Sequence, residues 1–198
     1  MEKSDLVIFV CGVAGGGKSV LCERLAQHYG IEYVPTSGVL RSLIAQGLQG
    51  TALAATKNKG FWESEEGKQF MRQRASNPEF DRELDKELLL RVARGGLVCD
   101  SWTLPWLSKK GFKIWLEASD AIRFSRISQR NHSPLSAVAV QVRSKEEKSI
   151  ALYERLYGFV WGKDLGVFDS IIDTDPLTKV EVFQRAVAAI DAWCSSKA

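Results

Sequence analysis

Leu6-Val-Ile-Phe-Val-Cys11, followed by Gly12-Val13-Ala14-Gly15-Gly16-Gly17-Lys18-Ser19, is the stretch that decides the fold. Six apolar residues rich in β-branched and aromatic types predict a strand buried on both faces. The glycine-rich segment after it matches GxxxxGK[ST], and Lys18 to Tyr29 continues as a helix, so the pattern has the strand-before, helix-after context that makes it specific. Glycines let the backbone curl until successive N–H groups face one centre, and the helix amino terminus adds partial positive charge. Such an anion nest suits the phosphates of a nucleoside triphosphate. Gly12 to Val20 are expected to contact ATP, with Lys18 reaching the β- and γ-phosphates and Ser19 offering its hydroxyl to Mg²⁺. A chance Lys-Ser after a glycine turn would leave three consecutive glycines costing backbone entropy to no purpose.

Working outward, Glu32 to Val34 predicts a second short strand and Gly38 to Gln46 a helix bearing Arg41, while Gly47 to Asn58 is ambiguous. Asn77-Pro78 gives a helix start, with Phe80, Leu84, Leu88 and Val92 recurring every four residues until Gly95-Gly96. Leu97 to Asp100 and Phe112 to Leu116 predict two further strands. Ser119 caps a helix to about Arg130, residues 131–134 break it, and Ser136 to Tyr157 forms a long helix with a charged middle. Ile171 to Asp173 predicts the last strand, and Asp175-Pro176 opens a helix through Val180, Phe183, Val187 and Ile190. Strands alternating with helices imply an α/β fold with a parallel sheet of about five strands, flanked by helices and binding ligands at the strands' carboxyl ends.

The 198 residues suit one compact domain, and 45% hydrophobic with 26% charged residues excludes a disordered tail or a repetitive fibre. The longest apolar run falls well short of a bilayer span and follows no cationic leader, so a cytoplasmic protein with no membrane partner is expected. Four cysteines without CxxC spacing and two distant histidines give no zinc pattern, and the thiols are expected to be reduced. A net charge of +3 does not call for nucleic acid. The charge is nevertheless uneven: from Arg123 to Arg155 there are seven Lys or Arg residues against three Glu, a stretch that suits a polyanion.

Asp100 ends its strand where a carboxylate can serve Mg²⁺ or orient an acceptor; a turn or capping role is the alternative. Arg123, Arg126 and Arg130, at i, i+3 and i+7, fall within about 60° around one helix. Beside a phosphate nest such cations can follow migrating charge; elsewhere they would form a solvated face. Asn58-Lys59 is followed by Gly60-Phe61 rather than a guanine-reading motif, which excludes the GTPases. Trp102 and Trp106, with Phe61-Trp62, offer aromatic area for stacking on a flat acceptor or for the core.

With these residues in hand, the sequence resembles the nucleoside monophosphate kinases, and most of all the short archaeal-type cytidylate kinases, over nearly its whole length. The landmarks are the P-loop, Ser37-Gly38-x-x-Arg41, Asn77-Pro-Glu-Phe-Asp-Arg-Glu-Leu-Asp85, Ile114-Trp-Leu-Glu with Ile122-Arg123 and Arg126 through Arg130, Leu156-Tyr157-Gly158 and Ile172-Asp173-Thr174. The resemblance implies a P-loop three-layer fold, with a helical acceptor-binding region over residues 36–94 and a lid over 131–157. It implies transfer from ATP·Mg²⁺ to a nucleoside monophosphate, CMP or dCMP, in a monomer or weak dimer. Arg41 would grip the acceptor phosphate, Ser37, Asp81, Arg82, Asp85 and Trp102 would lie by the acceptor, and Arg126 and Arg130 would close over ATP. The alternative for Asp81 and Asp85 is a helix flank charged because it faces water.

Two departures stand out. Asp100-Ser101-Trp102 replaces an acidic residue, Gly and Arg at the third strand's end, and Ile150-Ala151-Leu152 replaces several basic residues before Tyr153. Each lost charge-assisted contact costs about 1.5 to 3 kcal/mol, for which Arg143, Lys145 or Lys148 would have to substitute. Two rival readings follow: a P-loop kinase for another small acceptor, with Asp100 as base if that acceptor is a hydroxyl, and a nucleotide sensor that holds ATP without transfer.

Overall fold

A computed structural model describes residues 2–39 and 79–197. The sheet has five parallel strands, β1 (Val7–Gly12), β2 (Glu32–Pro35), β3 (Leu97–Asp100), β4 (Phe112–Glu117) and β5 (Ser170–Asp173), in the order β2-β3-β1-β4-β5. The helices are α1 (Lys18–Tyr29), α2 (Glu79–Arg94), α3 (Leu104–Leu107), α4 (Asp120–Asn131), α5 (Leu135–Tyr157) and α6 (Lys179–Ser196).

β1 is apolar throughout because both its faces are covered. Ile8 and Val10 pack with Leu21, Cys22 and Leu25 of α1 and with Val182, Ala186 and Ile190 of α6. Val7 and Phe9 pack on the other face with Leu84, Leu88 and Val92 of α2. The four-residue recurrence in α2 is thus its buried stripe. A third cluster gathers Trp115, Tyr153, Phe159 and Trp161, with Trp102, Trp106 and Phe168 against it. Trp106 stacks on Phe159 at 4.3 Å and its indole N–H donates to the Asp164 carbonyl at 2.8 Å, so this tryptophan is core rather than an acceptor platform.

Neighbouring strands of β1 are reached in opposite directions along the chain, and the crevice at their carboxyl ends is where such sheets bind ligands. The P-loop emerges there. One expected boundary moves: α6 begins at Lys179, not at Asp175-Pro176. Thr178 and Glu181 form a reciprocal capping box, while Asp175 accepts from the Ser119 amide at 3.0 Å, which holds that segment as a turn. Asn77-Pro78, Arg41, Phe61-Trp62 and the body of the expected Gly38 to Gln46 helix lie outside the described residues. All four cysteines are free thiols, and among the described residues no helix is long and apolar enough to cross a membrane.

Candidate functional site

The P-loop is held by contacts that require its glycines. At Gly12, φ is +132° and a Cβ would come within 2.1 Å of the Leu116 carbonyl oxygen; at Gly15, φ is +82° and a Cβ would meet the Arg123 carbonyl oxygen at 2.6 Å. Close packing against β4 and α4 therefore sets the loop's path. The Val13 amide donates to Leu116 O at 3.3 Å and the Gly16 amide to Val13 O at 3.1 Å, which closes the turn. Gly17, in the left-handed region, caps α1 without a side chain, so the first N–H groups of that helix open toward the loop's centre. Lys18 Nζ donates to Gly12 O and Val13 O, both at 2.8 Å, and spans the loop from inside. Burial lowers its pKa.

The end of β3 meets the start of α1. Ser19 Oγ donates to Asp100 Oδ2 at 3.1 Å, Tyr33 donates to the same oxygen at 2.9 Å, and the Thr36 amide donates to Oδ1 at 3.0 Å. Burial raises the Asp100 pKa against these hydrogen bonds. A hydroxyl and a carboxylate in contact are two hard oxygen donors, which fit Mg²⁺ and leave its remaining positions to phosphate and water. No cluster of three or more His, Cys, Asp or Glu side chains that could hold a metal occurs among the described residues.

The expected row of three arginines divides. Arg123 is turned inward at 6% exposure, its guanidinium forked onto Glu146 at 2.8 and 3.0 Å and paired with Asp120 at 2.7 Å. Glu146 in turn accepts from the Ala14 amide at 3.3 Å, tying α5 to the P-loop. Arg126 donates to Thr174 Oγ1 and Thr174 O, each at 3.0 Å, with Gly15 O at 3.5 Å. Arg130 bonds Asn131 at 3.0 Å. Only Arg126 and Arg130 of the three line the cavity described next.

That cavity, about 870 Å³, runs from Gln129, Arg130 and Lys179 past Gly15, Gly17, Lys18, Ser19 and Val20 to Asp81, Leu84 and Asp85. Asp81 and Asp85 are 3% and 4% exposed, which rules out a solvated flank. Thr103 Oγ1 donates to Asp85 Oδ1 and the Tyr157 hydroxyl to Oδ2, both at 2.6 Å. Ser37 and Trp102 also line it. The Trp102 ring lies 4.5 Å from that of Trp161, with Lys18 Nζ 5.7 Å and Lys145 Nζ 5.5 Å from its centroid. Arg82 departs from expectation: it pairs with Glu79 on the exposed side of α2 and does not line this cavity.

Thr103, Ser149 and Tyr153 are among the lining residues that the sequence reading does not assign to the site. Thr103 arrives because Ser101 Oγ accepts from the Thr103 and Leu104 amides and starts α3. Lys145, Ser149 and Tyr153 present one face of α5 at i, i+4 and i+8, a spacing visible in the sequence once that face is known to look inward. The uncharged Ile150 and Leu152 pack into the aromatic cluster, which explains the missing basic residues there. Of the possible substitutes, Lys145 reaches the cavity, whereas Arg143 pairs with Asp120 at 2.7 Å.

A family model described as an AAA domain, AAA_18, matches residues 8–149. The cytidylate kinase of Pyrococcus horikoshii is 30% identical over 192 residues, covering 96% of this chain and 91% of its own. That of Pyrococcus abyssi is also 30% identical, covering 96% and 97%. Among solved structures, a gluconokinase from Sinorhizobium meliloti superposes with a TM-score of 0.61 at 14% identity over 98% of this chain and 97% of that one. A shikimate kinase from Acinetobacter baumannii gives 0.56 at 17% identity over 94% and 93%. These two likenesses show the P-loop kinase fold.

Proposed function

This chain belongs to the nucleoside monophosphate kinase family, within the AAA_18 domains, and from that premise we propose that it transfers the γ-phosphoryl group of ATP to a cytidine monophosphate, CMP or dCMP. The observation that carries this reading is the continuity of one cavity from the P-loop to the buried carboxylates of α2. The loop and the first turn of α1 supply N–H groups for the donor phosphates, and Lys18 is poised to exchange its two carbonyl partners for phosphate oxygens. Ser19 and Asp100 would hold Mg²⁺, which when bound neutralises charge on the β- and γ-phosphates. Arg126 and Arg130 flank the donor end. Residues 36–94 form the acceptor side, with Ser37, Arg41, Asp81, Asp85 and Trp102 about the acceptor, and residues 131–157 the lid.

Carboxylates accept hydrogen bonds, so Asp81 and Asp85 favour a base that offers an amino group over one that offers a carbonyl. An acceptor phosphate, with its second pKa near 6, is already a nucleophile at neutral pH and asks for no general base. A second reading rests on the same two carboxylates: they also suit an acceptor with several hydroxyls, for which Asp100 would serve as base. ADP release measured against nucleoside monophosphates and polyhydroxylated acceptors separates the two. CMP or dCMP turnover is expected, and turnover on hydroxyl acceptors alone would replace the first reading with the second. Lys18→Ala should cut kcat by about a hundredfold or more, on the scale of losing a principal electrostatic contact in a transition state, with the fold unchanged by circular dichroism.

A further inference from the structure

Tyr33, on β2, packs its ring against the core cluster that holds Leu21, Cys22 and Leu25 of α1, and it does not line the cavity. The parallel register pairs it with Val98 of β3, so its side chain and that of Asp100, two residues beyond Val98, leave the sheet on one face. From there the Tyr33 hydroxyl donates to Asp100 Oδ2 at 2.9 Å, the oxygen that also accepts from Ser19 at 3.1 Å, while the Thr36 amide donates to Oδ1 at 3.0 Å. Ser19 and Asp100 both line the cavity, with Tyr33 behind them. The Thr36 amide belongs to the backbone and Ser19 would itself ligate a cation, which leaves Tyr33 as the side chain that only orients. Carboxylates that ligate metals are aimed by such outer hydrogen bonds, and losing one weakens the metal's binding.

We propose that Tyr33 is a positioning residue for the cation site: its hydroxyl fixes the Asp100 carboxylate beside Ser19, so that the pair is already oriented for the Mg²⁺ that accompanies ATP. The assignment rests on the reading of Ser19 and Asp100 as the Mg²⁺ site. Tyr33 touches neither nucleotide nor metal and acts through Asp100.

The test measures, by titration calorimetry on the full chain, the affinity for a non-hydrolysable ATP analogue with Mg²⁺ and with EDTA. It compares the wild type, Tyr33→Phe, Asp100→Asn and the double variant. In the wild type Mg²⁺ should tighten binding. Tyr33→Phe keeps the ring in the core and removes only the hydroxyl; it should lose roughly tenfold in affinity with Mg²⁺, the scale of an outer partner of a metal ligand, and lose nothing in EDTA. Added to Asp100→Asn it should cost nothing further, because its effect passes through that carboxylate. Unchanged affinity of Tyr33→Phe with Mg²⁺ overturns the proposal, as does an additional loss in the double variant. An equal loss with Mg²⁺ and with EDTA also overturns it, by making Tyr33 a packing residue. A wild type that binds the analogue no better with Mg²⁺ overturns the reading of Ser19 and Asp100 as the metal site, and this assignment with it.

Discussion

Asp120 stands in the first turn of α4, where its carboxylate meets Arg143 at 2.7 Å and Arg123 at 2.7 Å, and where the helix dipole also favours negative charge. The Arg143 hydrogen bond is the main cause holding its pKa below the ordinary 3.8, with Arg123 adding to it. A carboxylate whose folded pKa is depressed contributes stability that is complete above its unfolded value and is lost as pH falls through the folded one. Asp120→Asn should therefore melt below the wild type at pH 7, and the difference should close as the pH is taken below 3.8. Thermal unfolding across pH 2 to 7 checks it; a difference independent of pH would mean that charge is not the cause. At this scale the sequence is legible where motif and backbone coincide, as in the path of the loop from Gly12 to Ser19. It is not legible where a charge finds its partner across the chain: Asp85 meets Tyr157 at a separation of 72 residues, and Arg123 meets Glu146 at 23.

Helix α5 is fastened at two points, to the P-loop through Glu146 and to α2 through Tyr157. Removing one member of a buried ion pair leaves the other desolvated and alone, at a cost of about 3 to 5 kcal/mol. Glu146→Ala should lower stability in urea denaturation by less than that full amount, because the buried Arg123 keeps only its pair with the half-exposed Asp120. The double variant Arg123→Met/Glu146→Leu should recover most of the loss; a double variant as unstable as the single would place the cost in packing rather than charge. Element boundaries were readable where caps and stops are explicit, as with Ser119, whose hydroxyl accepts from the Ile122 amide, and Gly158 after α5. The start of α6 was misread because two cap signals compete within four residues, and the reciprocal Thr178–Glu181 pair satisfies two amides where Asp175 helps a neighbour instead.

Across the whole molecule, β1 lies between β3 and β4 with both faces covered, and β2 and β5 form the edges. Central amides so placed exchange only when the entire domain opens, whereas edges open locally. Hydrogen exchange should show Ile8 to Cys11 as the slowest group, with β2 and β5 faster; comparable protection in the edge strands would argue against that hierarchy. A parallel α/β sheet was foreseeable from alternating strand and helix segments, but the strand order was not, since nothing in a short apolar run says which neighbour it will choose. The cavity is hidden for a related reason: besides the P-loop, its walls come from α2, α4 and α5, whose facing is a property of the assembled sheet. Lys18, meanwhile, already bridges the two carbonyls that bound its loop. On the proposed reading, an arriving triphosphate would enter a socket kept in shape by one of its own future ligands, and little of the association energy would be diverted into ordering the loop.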